Sequence, residues 1–167
     1  MAPKRKIQKS FVDYGCGFPV RLVNAPMVFV RGVWTLDIDY NKLHTNILRA
    51  MTRKPVPLTG NEIKFIRHYF ELTLKEFGEN FGVTHVAVMK WEKAGDKSPP
   101  YSVSQERDMR TFIMARLETD GDSLLEVIKS LHSAKGILAR KKLKEAKTYT
   151  LKRDLSPNSS QTLPTWI

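Results

Sequence analysis

From Phe18 the chain alternates between apolar and polar positions. Phe18, Val20 and Leu22 are separated by Pro19 and Arg21, and further on Trp34, Leu36 and Ile38 are separated by Thr35 and Asp37. This is the period of two that sets one face of a strand against a core. Between these runs, Met27 to Val30 is β-branched and aromatic, and Gly32 after Arg31 marks either a turn or a bulge. The pattern predicts a small antiparallel sheet, with Asp37 and Asp39 on its outward face. The period then lengthens. Leu43, Ile47 and Met51 recur at every fourth residue, which predicts a short helix over 41–53, ended by Pro55 and Pro57.

Three helix starts follow, each with its own local chemistry. Thr59 stands three residues before Glu62, so its hydroxyl can accept from the Glu62 amide while the carboxylate reaches back to the Thr59 amide. Leu58 and Ile63 are placed as a hydrophobic staple. Thr73 and Glu76, with Leu72 and Phe77, repeat the device. Thr84 caps a third helix without a box, stapled by Val83 and Val88, and Pro99-Pro100 closes the segment. Beyond it, Met109, Phe112, Ile113 and Leu117 share a helical face. Asp120-Gly121 predicts a turn, and Ser123 to Glu126 a further box ahead of Ile128 and Leu131.

The expected fold is mainly α with a small N-terminal antiparallel β-sheet, an α+β chain with a helix-turn-helix bundle in its middle. Its divisions are a disordered basic N-terminus at 1–10, a small β-rich domain with a short helix at 11–57 and a helix-turn-helix domain at 58–101. Helices at 102–134, a candidate dimerisation surface, and a basic arm with a disordered tail at 135–167 complete it. The stretch 135–153, with eight basic groups against Glu145, reads either as a helix with a weak apolar side or as a flexible arm.

Charge changes the picture through its distribution. The net charge is +11, but 58–101 carries six basic and six acidic groups, whereas 1–57 carries ten against three and 102–167 twelve against eight. Basic flanks around a neutral centre suit a partner that is a polyanion. No apolar run reaches the roughly 18 residues of a membrane span, and no signal-peptide pattern follows the basic Lys4-Arg5-Lys6. A cytoplasmic, nucleoid-associated protein with no membrane partner is expected. Cys16 is the single cysteine, so neither an intrachain disulfide nor a four-ligand zinc site is expected. No nucleophile–base pair and no glycine-rich phosphate loop stands out, which predicts a non-enzyme with no cofactor and no metal.

The segment Leu72 to Glu92 carries the main signal. Gly78 stands mid-helix, where glycine costs about 1 kcal/mol unless two backbones must approach. Gly82 supplies the positive φ of a tight turn, and Phe77, Phe81, Val83, Val88 and Trp91 are apolar where a helical pair would pack. This pattern resembles the Xre-type helix-turn-helix family. The longer stretch from Leu58, with Leu-Thr-x-x-Glu-Ile ahead of Phe65, Ile66 and Arg67, is similar to the C-terminal half of MqsA-type (YgiT-like) antitoxins, and Val30-Arg31-Gly32-Val33 to their N-terminal half. Those proteins hold zinc there through paired CxxC motifs. With Cys16 alone, this chain would be a zinc-free relative.

The resemblance implies a recognition helix that enters the major groove of double-stranded DNA and places base contacts at His85, Val86, Met89 and Lys90. Lys90 or His85 would bond guanine acceptors, while Val86 and Met89 could make only apolar contacts, such as those with thymine methyls. Phosphate contacts are expected from Arg67, Thr73, Lys75, Thr84, Lys93 and Lys97. The implied protein is a homodimer on a palindromic operator, a transcriptional regulator, and in its sharper form the antitoxin of a type II pair that represses its own operon and masks a cognate toxin. The alternatives are a stand-alone or phage-type repressor, or a protein-interaction module without specific DNA readout.

Overall fold

The computed structural model describes residues 3–117 and 149–151. The chain divides into two compact units, one of residues 1–50 with 148–167 and one of 51–147. Among the described residues, no helix is long and apolar enough to cross a membrane.

The first unit is built on a sheet. Strand β1 (Arg5–Asp13) pairs antiparallel with β2 (Val20–Val30), which pairs antiparallel with β3 (Val33–Leu36). Val30 faces Val33 across a two-residue turn in which Arg31 and Gly32 both have positive φ, 50° and 85°. Such a turn matches the right-handed twist of the strands it joins. The alternating run from Phe18 and the apolar run at 27–30 meet in one strand, which starts at Val20. Asn24, at φ 56°, bends it without ending it, and the ladder skips the pair Lys9 and Asn24. Burial changes parity there. Val20 and Leu22 are buried before the bend, Ala25 and Met27 after it, so the sheet turns its inward side at Asn24.

The expectation of disorder over 1–10 is corrected by β1. Charges at Lys4, Arg5, Lys6 and Lys9 hide the strand because it is an edge strand, almost wholly exposed, that gains its order from the backbone ladder to β2. Its charges also have partners. The Lys6 ammonium lies 4.4 Å from the centre of the Trp34 ring, and Arg5 Nε lies 3.2 Å from Asp37. A short strand β4 (Tyr149–Leu151) runs parallel to β2, pairing Val20 with Tyr149, so this part of the expected basic arm is strand. The expected turn at 120–121, the helix after Ser123 and the tail from Ser156 lie outside the described residues.

Helix α1 (Tyr40–Arg53) follows the sheet. Asp39, expected on a strand face, is instead its cap: the carboxylate accepts from the amides of Asn41 (2.9 Å) and Lys42 (3.2 Å). Leu43, Ile47 and Met51 are fully buried as their spacing predicts, and Leu48 is buried with them.

The second unit holds α2 (Gly60–Tyr69), α3 (Leu74–Glu79), α4 (His85–Lys93) and α5 (Val103–Leu117). It begins at Met51, and a buried side chain of α5 ties its first residues in place. Arg110 of α5, fully buried, donates to the carbonyls of Met51 (2.8 Å), Thr52 (3.3 Å), Lys54 (2.7 Å) and Val56 (2.9 Å), and pairs with Glu106 one turn back. These carbonyls, at and just beyond the end of α1, thereby gain a partner. A second buried pair lies close in sequence: Lys54 Nζ reaches both oxygens of Glu62, at 2.7 and 2.9 Å. Tyr101 ties the far end by donating its hydroxyl to the Leu58 carbonyl at 2.7 Å.

Candidate nucleic-acid interface

Helices α3 and α4 form a helix, tight turn and helix because of two glycines. A Cβ on Gly78 would stand 2.5 Å from the Val83 carbonyl oxygen, and Gly82 has φ 64°. The amide of Val83 bonds the Gly78 carbonyl (3.0 Å) and that of Gly82 the Glu79 carbonyl (3.5 Å), the bond pair of a Schellman turn. The turn from α2 into α3 has the same pair, Leu72 to Arg67 (3.1 Å) and Glu71 to His68 (3.0 Å). There the left-handed residue is Glu71, φ 54°, and not a glycine.

The apolar residues of the pattern point inward to different depths. Phe77 and Val88 are fully buried and Trp91 nearly so, while Phe81 and Val83 are half-buried. Phe77 and Phe81 meet at 4.9 Å between ring centres, and Phe81 meets Phe112 of α5 at 5.5 Å. This packing orients α4. With Val88 and Trp91 held inside, His85, Val86, Met89, Lys90 and Lys93 are all exposed. At about 100° per residue they occupy an arc of roughly 140°, with His85 on one edge, Lys90 on the other, and Met89, Lys93 and Val86 between. The four residues expected at base edges therefore share one accessible face. The first turn of α4 holds no acidic residue, and its last turn holds Lys90 and Lys93.

The residues expected at phosphates fall into two groups. Lys75, Thr84, Lys93 and Lys97 are exposed, Lys75 lying 3.9 Å from Glu79. Thr84 Oγ1 accepts from the Ala87 amide at 3.3 Å, which leaves its hydroxyl proton for another acceptor. Arg67 and Thr73 are engaged within the protein. Arg67 donates to both oxygens of Glu92 (2.6 and 3.1 Å) and to the Leu72 carbonyl (2.9 Å), linking α2, the following turn and α4. Thr73 donates its hydroxyl to Glu76 at 2.7 Å, and that carboxylate puts negative charge where an anion would have to sit. These bonds make Arg67 a positioning residue for α4 and Thr73 a cap for α3.

Two supports of the site carry little signal in the sequence. Gly60, inside the first capping box, lies where any Cβ would collide with the Trp91 carbonyl oxygen and stand 2.7 Å from the Gly95 amide. It lets α2 start against the end of α4, where the amides of Gly60 and Asn61 donate to the carbonyls of Lys97 (3.0 Å) and Gly95 (2.9 Å). A glycine at a first helical position was the available clue. The Arg67–Glu92 pair spans 25 residues and leaves no periodic trace.

Away from this face, Cys16 lies buried in the first unit. Burial, and then the nearby Asp13, push its thiol up to about 12, so it is protonated at neutral pH. The same two influences raise the Tyr40 hydroxyl. Burial lowers the His44 imidazole, with Asp13 opposing. No family model matches the chain, and no curated protein or solved structure is significantly similar to it.

Proposed function

We propose that this protein is a sequence-specific DNA-binding regulator that reads the major groove with the exposed face of α4. The observation that carries the proposal is the composition of that face. Val86 and Met89, 40 % and 36 % exposed, sit between His85, Lys90 and Lys93 on a helix whose opposite side is fixed by Val88 and Trp91. A surface made for water alone gains nothing from two adjacent apolar side chains. A surface that enters a groove lined with base edges and flanked by phosphates uses both the apolar pair and the cations.

The neutral charge of 58–101 favours a division of labour, with selection by α4 and sequence-independent affinity from basic residues elsewhere in the chain. The regulator acts as a homodimer on two half-sites about one helical turn apart. In its sharper form it is an antitoxin that represses its own operon, which a toxic reading frame beside the gene would support.

The test is a mobility-shift titration of the full-length chain on the DNA upstream of its own gene, against random duplex, at several salt concentrations. Binding to the upstream DNA should be tighter by at least a hundredfold, and Val86→Ala with Lys90→Ala should remove on the order of tenfold or more of that preference. Equal affinity for both duplexes would overturn specific readout. Specific binding unchanged by the double substitution would overturn the choice of α4.

A further inference from the structure

We infer that Val86 and Met89 make α4 a reader of pyrimidine C5-methyl groups, two of them placed one or two base-pair steps apart. The inference rests on the DNA-binding reading above. It starts from the arrangement within the exposed face. Val86 and Met89 are three residues apart, so their Cβ atoms lie about 5–6 Å from one another on the helix surface. Successive base pairs are stacked about 3.4 Å apart. Two side chains at that separation meet methyl groups one or two steps apart in the groove. Neither side chain can donate or accept a strong hydrogen bond, and the C5-methyl is the apolar feature that the major groove offers.

The neighbours of the pair select the source of the methyl. Lys90 follows Met89 directly and lies one turn beyond Val86, on the arc edge away from His85, and it is exposed. Its ammonium carries donors only. A thymine presents an O4 acceptor beside its methyl, whereas 5-methylcytosine presents an N4 amine donor in that place. Thymine therefore satisfies the apolar pair and the lysine together, while 5-methylcytosine satisfies only the apolar pair. No carboxylate on the exposed arc opposes this, because the one acidic residue of α4, Glu92, is held by Arg67.

The experiment selects binding sites for the full-length chain from a random duplex pool and then edits the selected sequence one atom group at a time. Replacing a contacted thymine by deoxyuridine removes the methyl and nothing else. It should weaken binding about fourfold, the worth of one buried methylene-sized group, at two positions in each half-site. In Val86→Ala the effect should vanish at one of the two positions, and in Met89→Ala at the other. Both side chains are exposed, so both variants should melt as the parent does. At the same positions, 5-methylcytosine opposite guanine should bind more tightly than cytosine, because the methyl contact is made, and more weakly than thymine, because Lys90 then meets the N4 amine in place of an O4 acceptor; no gain on methylation would overturn the methyl readout.

Deoxyuridine binding as well as thymine throughout the site would overturn the inference and leave the DNA-binding reading intact. So would a loss of equal size in the parent and in both variants, since the methyls would then be read by other side chains. A pool that enriches no sequence would overturn the DNA-binding reading, and this inference with it.

Discussion

The described helical unit contains the Thr-x-x-Glu capping box twice, and the two copies have different tasks. In both, the threonine hydroxyl accepts from the glutamate amide, at 3.3 Å for Thr59 and 3.2 Å for Thr73. In both, the carboxylate accepts from the threonine amide at 2.8 Å. Locally they are one motif. Their surroundings differ. Glu62 is buried and held by Lys54, beside Gly60, which lies against the end of α4. Glu76 is exposed, and among the described residues its carboxylate accepts one further bond, from the hydroxyl of its own Thr73. The spacing Thr-x-x-Glu fixes where a helix begins, while the tertiary partner decides how much the rest of the molecule depends on it.

The largest break in this comparison comes from removing Lys54. Lys54→Ala would leave the Glu62 carboxylate buried without its cation, and breaking a buried pair in this way costs about 3–5 kcal/mol. Urea unfolding of the variant should show that loss, and Lys54→Met combined with Glu62→Leu should recover most of it, because the desolvation penalty leaves with the charges. A loss under about 1 kcal/mol in the single variant would place the first box on the same footing as an exposed pair.

A second break uses the first helical position, Gly60 in one box and Leu74 in the other. Gly60→Ala would force a Cβ into backbone atoms of Trp91 and Gly95, which cannot move away as a flexible side chain could, and should destabilise by about 1–3 kcal/mol. Leu74→Ala meets no such obstacle at its Cβ and should cost less. Equal losses in thermal melts would show that Gly60 is chosen for helix initiation and not for its closeness to α4.

These residues also mark what could be read from the chain alone. Thr59, Thr73 and Thr84 cap as their spacing predicts, and Val88 and Trp91 lie inside, because those features are local or periodic. The strand at Arg5–Asp13 was hidden because an exposed edge strand buries few side chains and so has no apolar period to display. Arg110 is fully buried with four main-chain carbonyls on its guanidinium, and nothing in its residue type or spacing marks it as buried. In the candidate interface, the exposed face of α4 was legible from its period. The engagement of Arg67 with Glu92 and of Thr73 with Glu76 was not, since residue type alone does not show where a donor is already committed.

The turn that leads into the second box offers a smaller and opposite effect. Glu71 occupies the left-handed position that Gly82 fills in the next turn, with the same pair of hydrogen bonds around it. A side chain there works against the steric preference of the backbone. Glu71→Gly should stabilise the chain by about 0.5–1 kcal/mol, the reduced strain outweighing the added freedom of the unfolded chain. Gly82→Ala should act in the reverse direction. If Glu71→Gly destabilises, the Glu71 side chain makes a contribution that outweighs its backbone strain.

The smallest effect separates the boxes by pH. The backbone and hydroxyl bonds from Thr73 hold the Glu76 carboxyl below its ordinary value. Between the folded value and the higher unfolded one, the unfolded chain binds more protons at this site, so stability rises with pH across that window. The contribution of the second box is thus complete above the ordinary glutamate range, near 4.3, and disappears as the pH falls through the depressed folded value. Glu76→Gln removes the ionised acceptor and leaves a neutral one of the same shape. Melting temperatures of parent and variant should differ most at neutral pH and converge in acid. A gap that stayed constant from neutral pH down to about pH 2 would mean that the ionised form is not what stabilises the second box.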